Sequence, residues 1–260
     1  MANPGAPIPP PPPEPLHPLA WRLEDSPPPP PEAAADPLLL RLDRRDPLVA
    51  AVPEALLATL SAAERQRHAA YRQRADQERF LVGRCALRRL LGHWLGQRPA
   101  AVALDVDLRG KPRCAGGPGF NLSHSGDLIL LAFHGNREVG VDVERERPDL
   151  DWRPIAERVF PLALTASLEG LPPEARSAAF LRAWCRLEAR LKACGEGLSG
   201  LERLRQSACP EHPVAGMERE PEILWDVAVP PGYAAAVALE NRLRAPAGAE
   251  EGDDHPSPRR

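Results

Sequence analysis

The chain has 260 residues, 27% of them charged and 43% hydrophobic, and a net charge of −3. That length allows one large domain or two small ones, and the balance is that of a globular protein. Its slight acidity excludes a general nucleic-acid or membrane-surface binder, which would carry a net basic footprint.

Residues 1–37 hold fifteen of the 33 prolines, including PPPPP twice, with almost no periodic apolar pattern. Such a stretch buries too little surface to offset chain entropy, and the expectation is a disordered or polyproline-like tail. Residues 54–96 read as helix in two pieces, with Phe80, Leu87, Leu90, Leu91, Trp94 and Leu95 at helical spacing in the second. Within residues 64–98, nine arginines and three acids give a local balance of +6. A solvated helix face accounts for most of them, and an anion site fed by a few is the alternative.

The period then changes. Residues 101–108 alternate Val102, Leu104, Val106 and Leu108 with polar neighbours, which predicts a half-buried strand broken by Gly110-Lys111-Pro112. Residues 121–127 (NLSHSGD) suit a loop with exposed backbone amides. Residues 128–133 (LILLAF) predict a buried strand, and residues 138–144 alternate again with Val139, Val141 and Val143 inward. These strands would form an antiparallel meander on the arginine-rich helix. Residues 174–194 predict a second long helix, with Phe180, Trp184, Leu187 and Leu191 as its stripe. Residues 223–229 and 233–239 predict strands joined by Pro230-Pro231-Gly232. Helix then sheet, twice, predicts an α+β protein of two similar subdomains with a site between them near Asp142. The Ala/Gly/Pro-rich end from residue 244 reads as a second disordered tail.

No run approaches the ~20 apolar residues of a membrane span, and no basic start precedes an apolar stretch. The five cysteines (85, 114, 185, 194 and 209) show no CxxC pairing, which argues against a disulfide framework or a zinc site. The expectation is a cytoplasmic protein without membrane or nucleic-acid partners.

Asp142 and Glu144 are two apart on a strand and leave the same face. Two adjacent carboxylates repel unless a cation sits between them, and hard oxygen ligands suit Mg²⁺. A solvent-facing acidic pair near Arg145 and Arg147 is the alternative. Trp184, Glu188 and Lys192 share one side of a helix; Glu188 is either a third metal ligand or half of an ordinary i, i+4 pair. Lys111 and Lys192 are the only two lysines among 33 Lys+Arg. An ammonium is a compact point charge that a guanidinium does not replace. The two survivors therefore mark places where such a charge is needed, or survive by chance. His124 suits a phosphate donor. Neither GxSxG, a Walker loop nor GxGxxG is present, which disfavours a hydrolase elbow and ordinary nucleotide binding.

Phe120-Asn121-Leu122-Ser123-His124-Ser125-Gly126, Val139-Gly140-Val141-Asp142-Val143-Glu144, and Trp184-Cys185-Arg186-Leu187-Glu188-Ala189 followed by Lys192 and Gly195-Glu196-Gly197-Leu198 together resemble the phosphopantetheinyl transferases. The fit is to the larger, pseudodimeric Sfp-like kind, over roughly residues 60–240, with residues 79–88 (RFLVGRCALR) and Gly110-Lys111-Pro112 matching in kind and order. The resemblance implies coenzyme A bound between two α+β subdomains, residues 38–140 binding it and residues 141–243 supplying metal and catalysis. It implies Mg²⁺ on the diphosphate and transfer of 4′-phosphopantetheine to a serine of an acyl, peptidyl or aryl carrier protein, by a monomer. By motif position Asp142, Glu144 and Glu188 would hold the metal. Arg67, Arg79, Lys111, Pro112, Ser123 and His124 would contact coenzyme A. Glu188 and Lys192 would be catalytic, the first as ligand or base and the second near the diphosphate. Two departures stand out: Leu187 where the family usually has Lys, and Leu164 near an expected Glu. They raise the alternative of a catalytically weak relative that binds coenzyme A or a carrier protein.

Overall fold

The computed structural model describes residues 14–106, 110–195 and 223–243. Four layers stack as helix, sheet, sheet, helix. The first sheet has strand order β1-β2-β6-β5, from β1 (Leu19–Ala20), β2 (Leu38–Asp43), β5 (Gly119–Ser125) and β6 (Leu128–His134). The second has order β7-β9-β8, from β7 (Arg137–Arg145), β8 (Ile223–Asp226) and β9 (Tyr233–Leu243). A two-residue ladder joins β3 (Asp105–Val106) to β4 (Pro112–Arg113).

Each sheet carries one 22-residue helix, α4 (Arg74–Leu95) or α7 (Pro173–Cys194), if the short α1 (Pro47–Ala51), α2 (Pro53–Ala58), α3 (Ala62–Ala70), α5 (Arg153–Val159) and α6 (Leu162–Glu169) are counted as connectors. Both long helices stop at a glycine in the left-handed region, Gly96 (φ 64°) and Gly195 (φ 68°), where an L side chain is disfavoured. The expected α+β architecture of two subdomains is therefore present.

The alternation of side chains across strands explains the stacking. In β6, Ile129, Leu131 and Phe133 face α4, while Leu128, Leu130 and Ala132 face the second sheet. All seven residues of β6 are buried, which is why the stretch reads as one apolar run. In β7, Val139, Val141 and Val143 meet that inner layer. In β9, Ala235, Val237 and Leu239 do the same, and Ala234, Ala236 and Ala238 turn to α7.

Four expectations change. The three-stranded meander does not form: β5 and β6 make a hairpin, but β7 pairs with β9. The whole of β7 belongs to the second sheet, so a boundary at residue 140 cuts a strand and the joint lies at the turn before Arg137. The strand over 101–108 shrinks to Asp105–Val106 within the described residues, and Val106 is 68% exposed because no sheet covers it. The proline-rich start is not all tail. Trp21 (3% exposed) and Leu23 (1%) enter the core, and Leu16 bonds Asp226 O and Ala228 N–H of the other subdomain at 2.9 and 2.8 Å. Residues 1–13, 196–198 and 244–260 lie outside the described residues. No helix among the described residues is long and apolar enough to cross a membrane.

Candidate functional site

Three elements meet at the joint between the sheets. Strand β7 offers Asp142 and Glu144 on the face turned to α7, helix α7 lays Glu188 and Lys192 over them, and β5 runs along the free edge of β7. The close approach depends on Gly140: a Cβ there would lie 2.3 Å from Ala193 N. With nothing on Gly140 and only methyls on Ala189 and Ala193, helix backbone rests on strand backbone. The side chain one position before Ala193 therefore reaches across the strand.

Lys192 Nζ donates to Asp142 Oδ1 at 2.6 Å, to Ser123 Oγ at 3.3 Å and to Val141 O at 3.4 Å. Asp142 is 4% exposed, and its Oδ1 also accepts from Ser123 Oγ at 2.9 Å, while Oδ2 has no hydrogen-bond partner among the described residues. Glu144 is half-buried, with Oε2 held by Ser125 Oγ at 2.8 Å. Burial pushes the Glu144 carboxyl above its ordinary value, and the Asp142 charge pushes the same way against the Ser125 bond. Glu188 is raised too, first by burial and then by Asp142 and Glu144, with Lys192 opposing. The Cys185 thiol lies in the same helix layer, donates to Ala234 O at 3.3 Å, and is pushed far up by burial, so it stays neutral.

The expected metal carboxylates thus share one neighbourhood. Among the described residues, however, no three His, Cys, Asp or Glu side chains are gathered tightly enough to form a ready-made metal cluster. Lys192 pairs with Asp142 within this neighbourhood.

Across β5 lies a second feature, a pocket of about 280 Å³ between α3, α4 and β5. Its walls include Arg67, Arg79, Arg84, Tyr71, Pro112 and His124. The guanidinium carbons of Arg67 and Arg84 sit 5.5 and 5.8 Å from the centre of the Phe80 ring, which places two charges against one aromatic ring. Arg79 donates to Gly126 O at 2.6 Å and pairs with Asp76. Burial lowers the Arg84 pKa, and the Arg67 and Arg88 charges add to that against Glu64. An oxyanion would relieve this crowding of like charge. His124 stands at the rim; desolvation lowers its pKa, and the Arg79 and Lys192 charges act in the same sense. An open groove of about 530 Å³ begins at Ser125 and Gly126 and runs along Glu144, Arg145 and Arg147.

The structure therefore brings Arg67, Arg79, Pro112 and His124 to one pocket, and Asp142, Glu144, Glu188 and Lys192 to the joint. Two of the residues assigned to coenzyme A are placed elsewhere. Ser123 and His124 are neighbours on a strand rather than in a loop, so they leave opposite faces, and Ser123 (8% exposed) turns to Asp142. Lys111, also 8% exposed, sends Nζ to Glu138 Oε2 at 2.8 Å, Val139 O at 3.0 Å and Ala193 O at 3.2 Å. Its ammonium fastens β4 to β7 and to the end of α7. Both rare lysines thus bond carbonyls on the same edge of β7, Val139 and Val141.

Arg84, Tyr71 and Ser125 escaped the sequence reading. Arg84 had a usable signal, standing one helical turn after Phe80. Ser125 had another, spaced from Ser123 as Glu144 is from Asp142. Of the two departures, Leu187 packs half-buried against the cluster around Phe180, and Leu164 is 36% exposed on α6.

Residues 138–238 match the family model described as the 4′-phosphopantetheinyl transferase superfamily, and residues 50–136 match that of a 4′-phosphopantetheinyl transferase N-terminal domain. The chain is 39% identical over 163 residues to the 4′-phosphopantetheinyl transferase HetI of Nostoc sp., covering 61% of this chain and 69% of that protein. It is 30% identical over 156 residues to a 4′-phosphopantetheinyl transferase of Bacillus subtilis, covering 59% and 68%. It is 48% identical over 89 residues to the 4′-phosphopantetheinyl transferase AcpT of Salmonella typhimurium, covering 34% of this chain and 46% of that protein.

Proposed function

Since this chain belongs to the 4′-phosphopantetheinyl transferase superfamily of enzymes, we propose that it transfers 4′-phosphopantetheine from coenzyme A to a serine of an acyl, peptidyl or aryl carrier protein. The reaction releases 3′,5′-ADP and uses Mg²⁺. The observation that carries the reading is the adjacency of a three-arginine pocket and a carboxylate–lysine cluster on the two sides of β5. One substrate with separated phosphates spans that distance, its lone phosphate among the arginines and its diphosphate beside Lys192.

The donor set fits a hard dication. Asp142 Oδ2 is buried without a partner among the described residues, and Glu144 and Glu188 are raised by burial and by negative charge. Mg²⁺ is usually held by one or two carboxylates plus substrate phosphates, so a preassembled trio is not required. Asp142 and Glu144 would hold it, with Glu188 nearby. When bound, the ion supplies charge neutralisation on the diphosphate and on the departing oxygen.

The chain's own groups do the rest. Arg67, Arg79 and Arg84 bind and orient the nucleotide end, and His124 closes the rim over it. Lys192 donates hydrogen bonds from its ammonium to the diphosphate, stabilising the charge that develops as the phosphorus–oxygen bond to 3′,5′-ADP breaks. Glu188, its pKa raised by burial, accepts the proton of the attacking serine hydroxyl at a carboxylate oxygen. The groove along Glu144, Arg145 and Arg147 is the approach for the carrier, a single copy of this chain serving it in the cytoplasm.

The experiment is the intact mass of an apo carrier protein after incubation with this protein, coenzyme A and Mg²⁺. A phosphopantetheine-sized gain that EDTA removes supports the reading. Coenzyme A binding with no gain across peptidyl, polyketide and fatty-acid carriers would replace transferase with a binding-only relative.

A further inference from the structure

Among the described residues strand β7 is the edge of its sheet: one side pairs with β9 and the other has no strand beside it in the sheet order. Such an edge leaves a row of backbone N–H groups that must find partners when buried. Here they find side chains. Val141 N–H donates to Asn121 Oδ1 at 3.0 Å, Val143 N–H to Ser123 Oγ at 3.4 Å, and Arg145 N–H to Ser125 Oγ at 3.0 Å. Three successive residues of one face of β5 thus take three successive rungs of β7, in register.

The two serines do a second thing that Asn121 does not. A hydroxyl that accepts a backbone N–H still has its own proton to give. Ser123 gives it to Asp142 Oδ1 and Ser125 gives it to Glu144 Oε2. The spacing repeats: each serine accepts from the residue after an acid and donates to the acid itself. Its rotamer is fixed by the backbone bond, so one oxygen of each acid is fixed in turn. The other oxygen of Asp142 is left buried and, among the described residues, unbonded.

From this geometry we infer that Ser123 and Ser125 are positioning residues for the cation, with Asn121 fixing the same register. Each serine holds one oxygen of its carboxylate so that the other points where the dication binds. This rests on the metal reading given above. Partners of metal ligands orient them, and losing one typically costs about 10–100-fold in metal affinity. Ser125 is the better one to test, because Asp142 has Lys192 as a second anchor while Glu144 has none of the same kind among the described residues.

The test is Mn²⁺ binding by the full chain, read by electron paramagnetic resonance without substrate, beside the KM for coenzyme A. Wild type is expected to bind Mn²⁺ and Asp142→Asn to lose it. Ser125→Ala should weaken binding about tenfold or more, with the KM for coenzyme A unchanged once Mg²⁺ is saturating. Ser125→Thr, which keeps the hydroxyl, should restore binding, and Ser125→Val, of the same shape without it, should not. Equal Mn²⁺ affinity in the Thr and Val variants would overturn the inference, whatever Ser125→Ala does to folding. Absence of Mn²⁺ binding in wild type would instead overturn the metal reading on which the inference stands.

Discussion

Gly140 and Ala189 meet backbone to backbone: a Cβ on the glycine would sit 2.0 Å from the Ala189 carbonyl oxygen. Nothing in a helix carbonyl can give way to a methyl, so Gly140→Ala must lift α7 from β7. Overpacking typically costs about 1–3 kcal/mol and occasionally more, and an obstruction by helix backbone lies at or above the top of that range. Denaturant unfolding should show that loss. Transfer activity should fall further than stability does in conditions where the variant is fully folded, because Lys192 and Glu188 withdraw from Asp142. A Gly140→Ala protein as active as wild type would refute this account of the joint.

Lys111 offers a sharper contrast. As a phosphate ligand its loss would raise the KM for coenzyme A. Placed as it is, 6% exposed at the side chain and 2.8 Å from Glu138, its loss leaves a buried carboxylate short of a partner. Breaking a buried pair costs about 3–5 kcal/mol, moderated here by Arg113, which reaches the other oxygen of Glu138 at 3.2 Å. Lys111→Met should therefore lower stability by an amount near the bottom of that range and leave the KM unchanged at a temperature where the variant is folded.

The arginine pocket predicts discrimination between two ligands. Arg67→Ala and Arg84→Ala should each weaken coenzyme A about tenfold, the worth of a hydrogen bond to a charged group. Dephospho-coenzyme A, which lacks the lone phosphate, should be affected far less. Isothermal titration with both ligands checks this. Equal losses for the two would move the lone phosphate out of the pocket.

Glu64 sets an acid limb of stability. Burial raises its pKa, but the bonds from Arg88 and from Ser61 N–H, with the Arg88 and Arg84 charges, outweigh burial and leave it below the ordinary value. A depressed carboxyl stabilises the fold above its unfolded pKa, near 4.5. That contribution is lost as pH falls through the lower folded value. Glu64→Gln should flatten this limb. At pH 7 it should cost about 3 kcal/mol, since Arg88, 3% exposed, loses its carboxylate. Urea titrations at pH 7 and pH 3.5 give both readings.

The arm before β2 is also testable. Trp21 is 3% exposed, and its ring N–H donates to Ser26 O at 3.2 Å. Trp21→Ala should cost about 3–5 kcal/mol, as for other large buried aromatics. Deleting residues 1–37 should destabilise at least as much, visible as a lowered midpoint in thermal unfolding.

What periodicity encodes was legible. The helix expected at 174–194 is Pro173–Cys194, and the apolar run at 128–133 is the doubly covered β6. The valines of 138–144 point inward as alternation requires. Composition misled at the arm, where two core residues, Trp21 and Leu23, stand among prolines without a period to betray them. The polar run at 121–127 reads as a loop because Asn and Ser favour loops. In β5 they alternate as any strand does, but the partner on their face is a backbone edge rather than an apolar layer. The carboxylates and Lys192 came from motif and strand phase together. The burial of Lys111 did not, since an ammonium that bonds carbonyls and one that bonds phosphate look alike in sequence.

The joint between β5 and β7 has a consequence for inheritance. A backbone ladder survives almost any substitution, because every residue but proline brings the same N–H and C=O. A joint closed by an amide and two hydroxyls is spelled out letter by letter. Single-nucleotide changes at Asn121, Ser123 or Ser125 can open a rung, and only a narrow set of replacements keeps it shut. The coupling of the two halves is therefore itself a heritable, tunable trait, open to drift in a way that the sheets on either side are not.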